Sequence, residues 1–366
     1  MQIVQIKIDG LRNLSNIHIQ PGAHFNLLCG MNGSGKTSFL ESIYLFGCGR
    51  SFRSTHLNTL VDYQSQIFTT FAHIKDPQQN AYVIGFEKNR QARLKLKLNG
   101  ESVLSISEIA QLLPIQILCP DSFQLLTLGP LERRKFLDWG VFHVEHSFLN
   151  VWLKYTRALS QRNSLLRQKF NIGSQLQAWD EELSVLGEKL TVYRNHYIEK
   201  LLVQLKHSLA SLLPLPDLEM SYYQGWDSQY SLKEALKGSL AGDMKVGYTR
   251  VGPQRADLIL KLHGGSVGQI LSRGQQKLLV CALILAQGTV LFEALGKRCI
   301  YLVDDLASEL DFQTRRRVIE HMGALGSQVF ITGIEMSFLK EGIQGFDHKM
   351  FHVEHGRILE EVQCFT

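Results

Sequence analysis

The sequence predicts an α/β fold of mixed sheets and helices, interrupted by an inserted helical hairpin. Three observations carry that prediction. A short apolar strand, "AHFNLLCG", runs into the glycine-rich stretch "GMNGSGKTS" at residues 30–38 and leaves it as a helix, "KTSFLESIYLF". Near the other end, "RCIYLVDDLASELD" (298–311) is an apolar strand that ends in two aspartates. Between them, from 131 to about 213, apolar residues recur at helical spacing with one break. With 366 residues, 45% hydrophobic and 20% charged, the chain can bury the core such a fold needs.

The opening residues, "MQIVQIKIDGLRNLSNIHIQ", alternate like a strand and lack the apolar core of a signal peptide. The stretch at 30–38 fits G-x-x-x-x-G-K-[ST], with Gly30, Gly35, Lys36 and Thr37 at the fixed positions. Glycines let a backbone curl until several N–H groups face one anion, and the helix start adds its positive end. The expected cradle is Gly30, Met31, Asn32, Gly33, Ser34, Gly35, Lys36, Thr37 and Ser38. Lys36 would reach the β/γ-phosphates of a nucleoside triphosphate, and the Thr37 hydroxyl would hold Mg²⁺.

Positions 65–98 read as two or three antiparallel strands, "SQIFTTFAHI", "NAYVIGFE" and "RLKLKLNG". In the last, Arg93, Lys95 and Lys97 share one face, either a solvated strip or one that meets DNA. From 131 the reading is a long helix, a break at "FNIGS", and a second helix to Pro214, an antiparallel hairpin. Residues 131–170 hold eight Lys or Arg against three acids, leaving +5, equal to the excess of the whole chain. That imbalance makes Arg133, Arg134, Lys135, Arg157, Arg162 and Arg167 candidates for contact with a DNA backbone.

"LSRGQQKLLVCALILAQ" (271–287) opens with a hydroxyl and a glycine at a helix start, a second place for an anion and equally a plain N-cap by Ser272. Its apolar run at 278–286 is too short to span a bilayer and reads as a buried helix. In "LVDDLASELD", Asp304 would hold Mg²⁺ opposite Thr37, and Asp305 would steer the attacking water as a base. "FHVEH" occurs at 142–146 and 351–355; its H-x-x-H spacing is not that of a zinc protease, and both copies read as structural. The six cysteines (29, 48, 119, 281, 299, 364) are scattered and read as reduced thiols of a cytoplasmic protein with no membrane partner.

The cradle, "LSRGQQ" and "VDDLASELD", in that order, resemble the ABC-type ATPase class, which includes SMC-like DNA repair proteins. Within it, "LRNL", "NGSGKTSFLESIYLFGCGRSFR", "RRKFLDWGVFHVEH", "VGPQRADL" and "MFHVEHGRI" make the chain similar, nearly end to end, to the RecF family of recombination mediators. Gln254 departs from it, standing where a His is expected. The resemblance implies an ABC-type ATPase head: 1–130 and 241–366 form its two parts, and 131–240 is an inserted arm. It implies an ATP-dependent homodimer in which Ser272 and Gly274 close over the partner copy's γ-phosphate, with Asp311 near the seam. Thr332 falls where a switch histidine is common, its role open. Gln116 and Gln124 both remain candidates for the Q-loop glutamine, and Arg50 and Arg53 for nucleotide or DNA contact. The partners implied are single- and double-stranded DNA, and RecR, which with RecO helps load RecA. A transporter-type ATPase subunit is the alternative enzyme. A DNA-binding scaffold with a dead ATP site is disfavoured by Lys36, Thr37, Asp304 and Asp305.

Overall fold

The computed structural model describes residues 1–91, 94–168, 173–305, 310–334 and 340–361. Arg93 lies outside them. The chain divides into two compact units, Met1–Ser122 with Lys277–Thr366, and Phe123–Gln276. The second unit includes the segment with Ser272 and Gly274.

The first unit holds two six-stranded sheets. One is antiparallel, in the order β2 (Ile17–Ile19), β1 (Gln2–Asp9), β4 (Ile67–Lys75), β5 (Ala81–Asn89), β6 (Lys95–Leu98) and β7 (Glu101–Val103). β7 was not anticipated. It follows a tight turn in which Asn99 and Gly100 both take positive φ, 52° and 88°, as a two-residue hairpin requires.

In the second sheet, β14 (His348–Glu354), β3 (Phe25–Cys29), β13 (Gln328–Gly333), β12 (Ile300–Val303) and β8 (Ile115–Leu118) are parallel. β15 (Arg357–Glu361) closes one edge antiparallel to β14. β12 and β13 are buried at every position, which is why they read as unbroken apolar runs. Helix α1 (Lys36–Cys48) buries eleven of its thirteen residues, and Phe39, Leu40, Ile43 and Phe46 join one core with both sheets. The short helix α2 (Ile106–Leu112) is capped by Ser105. The ends of β3, β12 and β13 bring the cradle, Asp304 and Thr332 to the carboxyl edge of the parallel sheet, where open α/β sheets bind ligands.

The second unit is mainly helical: α3 (Pro130–Val144), α4 (Phe148–Gln168), α5 (Gly173–Leu212), α6 (Leu232–Val246) and α7 (Val267–Ile270). α4 and α5 pack as the expected hairpin. The helix expected from 131 is two helices, because Glu145 takes extended backbone angles and its carboxylate accepts from Ser147 N (3.2 Å) and Oγ (2.7 Å). A small sheet, β9 (Leu218–Tyr223), β10 (Asp257–Leu262) and β11 (Gly265–Ser266), was not foreseen. Helix α8 (Arg273–Leu295) begins here and continues into the first unit's sequence; α9 (Phe312–Ala324) follows β12. α8 outruns its apolar core and, by length and composition, could cross a membrane, yet 67% of its most apolar window is buried in the protein. Cys29, Cys48, Cys119, Cys281 and Cys299 form no disulfides, and burial pushes the Cys281 thiol up to about 12.

Candidate nucleotide site

The cradle is built by backbone angles only glycine tolerates. Gly35 has φ 123°, and a Cβ there would sit 2.9 Å from Leu14 Cδ2; at Gly30 it would meet Val353 O at 2.2 Å. Gly35 precedes α1 with no side-chain cap, so the first N–H groups of the helix are left for an anion. The Ser34 hydroxyl is buried in this loop with no hydrogen-bond partner among the described residues. Lys36, 9% exposed, donates to Gly30 O (2.6 Å) and Met31 O (2.9 Å). Burial lowers its pKa, opposed by the carboxylates of Asp305 and Asp304.

Thr37 Oγ1 donates to Asp304 Oδ1 at 2.9 Å, joining residues 267 positions apart. Neighbouring ligands of an octahedral Mg²⁺, each about 2.1 Å from the ion, also stand about 3 Å apart, so this oxygen pair fits that cation. Orphaned N–H groups, a buried lysine and two hard oxygens fit a triphosphate with its metal. The cavity they line is about 180 Å³, and Asn13, Arg53, Asp305, Thr332 and Ile334 line it too. Sites that enclose a whole cofactor usually exceed about 300 Å³. This one has room for the phosphate end of a nucleotide only.

Two lining residues extend the sequence reading. Asn13, from "LRNL", donates to Gly33 O (3.3 Å) and Ser34 O (3.2 Å) and accepts from Ser38 Oγ (3.2 Å), bracing the cradle. Its neighbour Arg12 forks onto Glu41, a fully buried carboxylate of α1, at 2.9 and 3.0 Å. Ser51 also donates to Glu41, and its oxygen accepts the N–H of Arg53 (2.9 Å) and Ser54 (2.8 Å). This holds the turn that brings Arg53 to the cavity. None of this bracing showed in the motif spacing; the only signal was that "LRNL" and "GRSFR" are family features.

Of the two glutamines, Gln116 is buried and donates to Gln287 Oε1 at 2.8 Å, whereas Gln124 is exposed. Ser272 and Gln275 cap each other's ends of the first turn of α8, with Gln275 N to Ser272 Oγ 3.3 Å and Ser272 N to Gln275 Oε1 2.9 Å. Ser272, Arg273, Gly274 and Gln275 are all exposed. Asp311 caps α9 by accepting from Thr314 N at 3.0 Å, and hydrogen bonds from the Thr314 side chain and then its backbone lower its pKa. Ser308 and Glu309 fall outside the described residues. Gln254 has both ends of its amide in use, accepting from Tyr155 and donating to Val251 O at 2.8 Å.

The arginines expected to meet DNA divide. Arg162 is a correction. It is wholly buried and bound to Asp180 (2.6 Å), Asp243 (2.8 Å) and Thr249 (2.8 Å), out of reach of any phosphate. Arg133 forks onto Asp257 at 2.7 and 3.0 Å, and Arg134 donates to Ala256 O at 2.7 Å, so both are engaged inside the unit. Lys135 pairs with Glu132 on the surface at 2.7 Å, and Arg157 and Arg167 are exposed. Much of the charge excess of 131–170 is therefore answered by acids elsewhere in the chain. In the first unit, a cavity of about 600 Å³ on the outer face of the antiparallel sheet is lined by Lys7, His18, Phe71, Lys95 and Lys97, with Asp9 and Glu87 among them.

Both copies of "FHVEH" lie at element ends. In the first, His143 is buried and packs tilted against Trp139, with ring centroids 4.4 Å apart. The second ends β14, with His352 Nε2 4.0 Å from Glu354. Among the described residues no three metal-binding side chains cluster.

Residues 2–358 match the model of the RecF/RecN/SMC N-terminal domain. A DNA replication and repair protein RecF from Stutzerimonas stutzeri is 44% identical over 98% of both chains. One from Pseudomonas aeruginosa is 44% identical over 98% of this chain and 97% of its own. Among solved structures, one of the recombination mediator protein RecF with ATP, in the RecFOR pathway, superposes with a TM-score of 0.88 at 28% identity, covering 98% of this chain and 97% of that one. An SMC head bound to the C-terminal winged-helix domain of ScpA shares the fold, with a TM-score of 0.61 at 16% identity over 99% and 98% of the chains.

Proposed function

The chain belongs to the RecF/RecN/SMC N-terminal domain family, and from that premise we propose that it is an ATP-dependent DNA-binding protein of recombinational repair. The observation that carries this reading is the hydrogen bond from Thr37 to Asp304. It joins the cradle to the acidic end of β12 at one edge of the parallel sheet. The cradle N–H groups and Lys36 would bind the triphosphate, and Thr37 and Asp304 would hold Mg²⁺, which when bound offsets charge on the phosphate oxygens. Asp305 would orient the attacking water and take its proton.

The half-open cavity and the exposed start of α8 support a site completed by a second copy. Ser272 and Gly274 of one protomer would close over the γ-phosphate held by the other. Hydrolysis is then slow and resets a dimer assembled on DNA at single-strand gaps and their duplex junctions. By the family resemblance it works with RecR and RecO to load RecA, in the cytoplasm. Of the six arm cations weighed for DNA contact, Arg157, Arg167 and Lys135 are the exposed ones; the strip at Lys95 and Lys97 is the other candidate DNA-facing surface. Phosphate release and sedimentation with and without ATP, each with and without gapped DNA, test the reading. ATP-dependent dimers and hydrolysis stimulated by gapped DNA are expected. Hydrolysis indifferent to DNA would point to a transporter-type subunit, and none at all to a scaffold.

Charge reversal of Arg157 and Arg167 to Glu should weaken DNA binding. Each lost phosphate contact lowers the slope of log K against log[salt] by about 0.9 on duplex DNA. An unchanged slope would transfer the DNA surface to Lys95 and Lys97.

A further inference from the structure

Thr332 is 2% exposed near the end of β13. Its hydroxyl donates to Asp304 Oδ1 at 2.8 Å and accepts the backbone N–H of Asp305 at 3.0 Å. One proton and two lone pairs allow both bonds at once. Val303 O, at 3.5 Å, is the longer alternative for that proton. The Asp304 oxygen it touches is the one that accepts from Thr37, so two hydroxyls meet on one carboxylate oxygen. Asp305 has φ 51°, in the left-handed region that Asp enters more readily than most residues with a Cβ but that is still uncommon, so a fixed partner for its N–H helps to hold it there.

We infer that Thr332 is a positioning residue whose hydroxyl ties the carboxylate of Asp304 to the left-handed backbone that aims Asp305. The inference deepens the ATPase reading and rests on it. The strand that presents Thr332 is paired on both sides, with β12 and β3, so its hydroxyl is a fixed point. Fixed partners of ligating carboxylates keep them in one orientation, and their loss typically costs about 10- to 100-fold in metal affinity or activity. A residue that served only to fill space would act through its shape and not through its oxygen.

Thr332→Val keeps the β-branched shape, which suits a buried parallel strand, and removes the hydroxyl. Thr332→Ser keeps the hydroxyl and removes the methyl. Three quantities separate the readings: ATP Kd, single-turnover phosphate release, and hydrogen exchange of the Asp305 amide in nucleotide-free protein labelled with ¹⁵N-aspartate. The Val variant should release phosphate about 10- to 100-fold more slowly. Its ATP Kd should stay within about threefold, since the cradle is intact. Its Asp305 amide should exchange at least about tenfold faster, having lost its acceptor. The Ser variant should restore both. Thr332→Ala serves as a second hydroxyl-free variant should Val not fold. Wild-type hydrolysis and exchange in the Val variant would overturn the inference, as would a Ser variant as defective as Val. If the wild-type protein hydrolyses no ATP, the proposed function fails. The exchange measurement still decides the tie between Thr332 and Asp305.

Discussion

Two acids and an arginine show how far position decides role at the scale of a single residue. Asp304 is engaged by two hydroxyls and suits a metal ligand. Asp305, one residue on, lines the same cavity, and the proposed function gives it the role of base. Asp305→Asn is nearly isosteric and cannot take a proton. A positioned general base contributes roughly 10²- to 10⁴-fold, so phosphate release should fall by that order while ATP binding persists. Normal hydrolysis in this variant would remove Asp305 from the role of base. Arg162 makes the opposite point. Charge counts mark it as a DNA contact, but it holds α4 to Asp180 and Asp243. Arg162→Ala leaves the fully buried Asp243 short of its buried partner, with Arg250 and the Ser239 hydroxyl still beside it. Breaking such a pair costs roughly 3–5 kcal/mol, which urea denaturation would measure. A variant as stable as the wild type would mean the network is not a structural hub.

Helix ends carry the same lesson at the scale of elements. Asp311 suggests a seam residue from its place in "SELD", yet locally it is the N-cap of α9. Its carboxylate is held below the usual range mainly by the hydrogen bond from Thr314. A depressed folded-state pKa means stability that is present above the unfolded value, about 4, and lost as pH falls through the folded one. Asp311→Asn keeps a good cap and removes that proton dependence. Between pH 7 and 3 its melting temperature should fall less than that of the wild type; identical curves would show that the cap is not what titrates.

What was legible in the sequence follows the same division. The cradle and the acidic strand are contiguous, and their chemistry is written in adjacent residues. The arm arginines, the break at Glu145 and the pairing of Gln116 with Gln287 depend on partners up to 171 positions away or on one side chain outcompeting a helix. Apolar periodicity carries no sign of either. β9 to β11 escaped because three short strands beside long helices leave little alternation to count.

The whole molecule raises the question of where one active site ends. The cradle and the start of α8 belong to different compact units, the cavity is too small for a whole nucleotide, and Ser272 and Gly274 face solvent. A composite site between two copies makes a prediction that a self-contained one does not. Lys36→Ala disables the cradle and leaves α8, the signature helix of the ABC-type class, intact. Ser272→Arg does the reverse, placing a bulky cation where the partner's phosphate would sit, and a monomer should still bind ATP. Each variant alone should be inactive. Mixed in equal amounts at a protein concentration that keeps both variants dimeric, with free exchange of protomers, half the dimers would pair one of each. Every mixed dimer has one good cradle facing one good signature helix. If the two sites of a symmetric dimer act independently, the mixture should recover about a quarter of the wild-type rate. Cooperative sites would give less, but more than either variant alone. Phosphate release across a titration of one variant into the other, at fixed total protein, gives the answer. A maximum near equal mixing requires a shared site. A flat line at zero, with mixed dimers confirmed by tagged subunits, would mean that each chain completes its own site or that both sites must fire together. A double variant, Lys36→Ala with Ser272→Arg, mixed with wild type separates those two. Its mixed dimers hold no competent composite site, whereas a self-contained wild-type protomer would stay active in them.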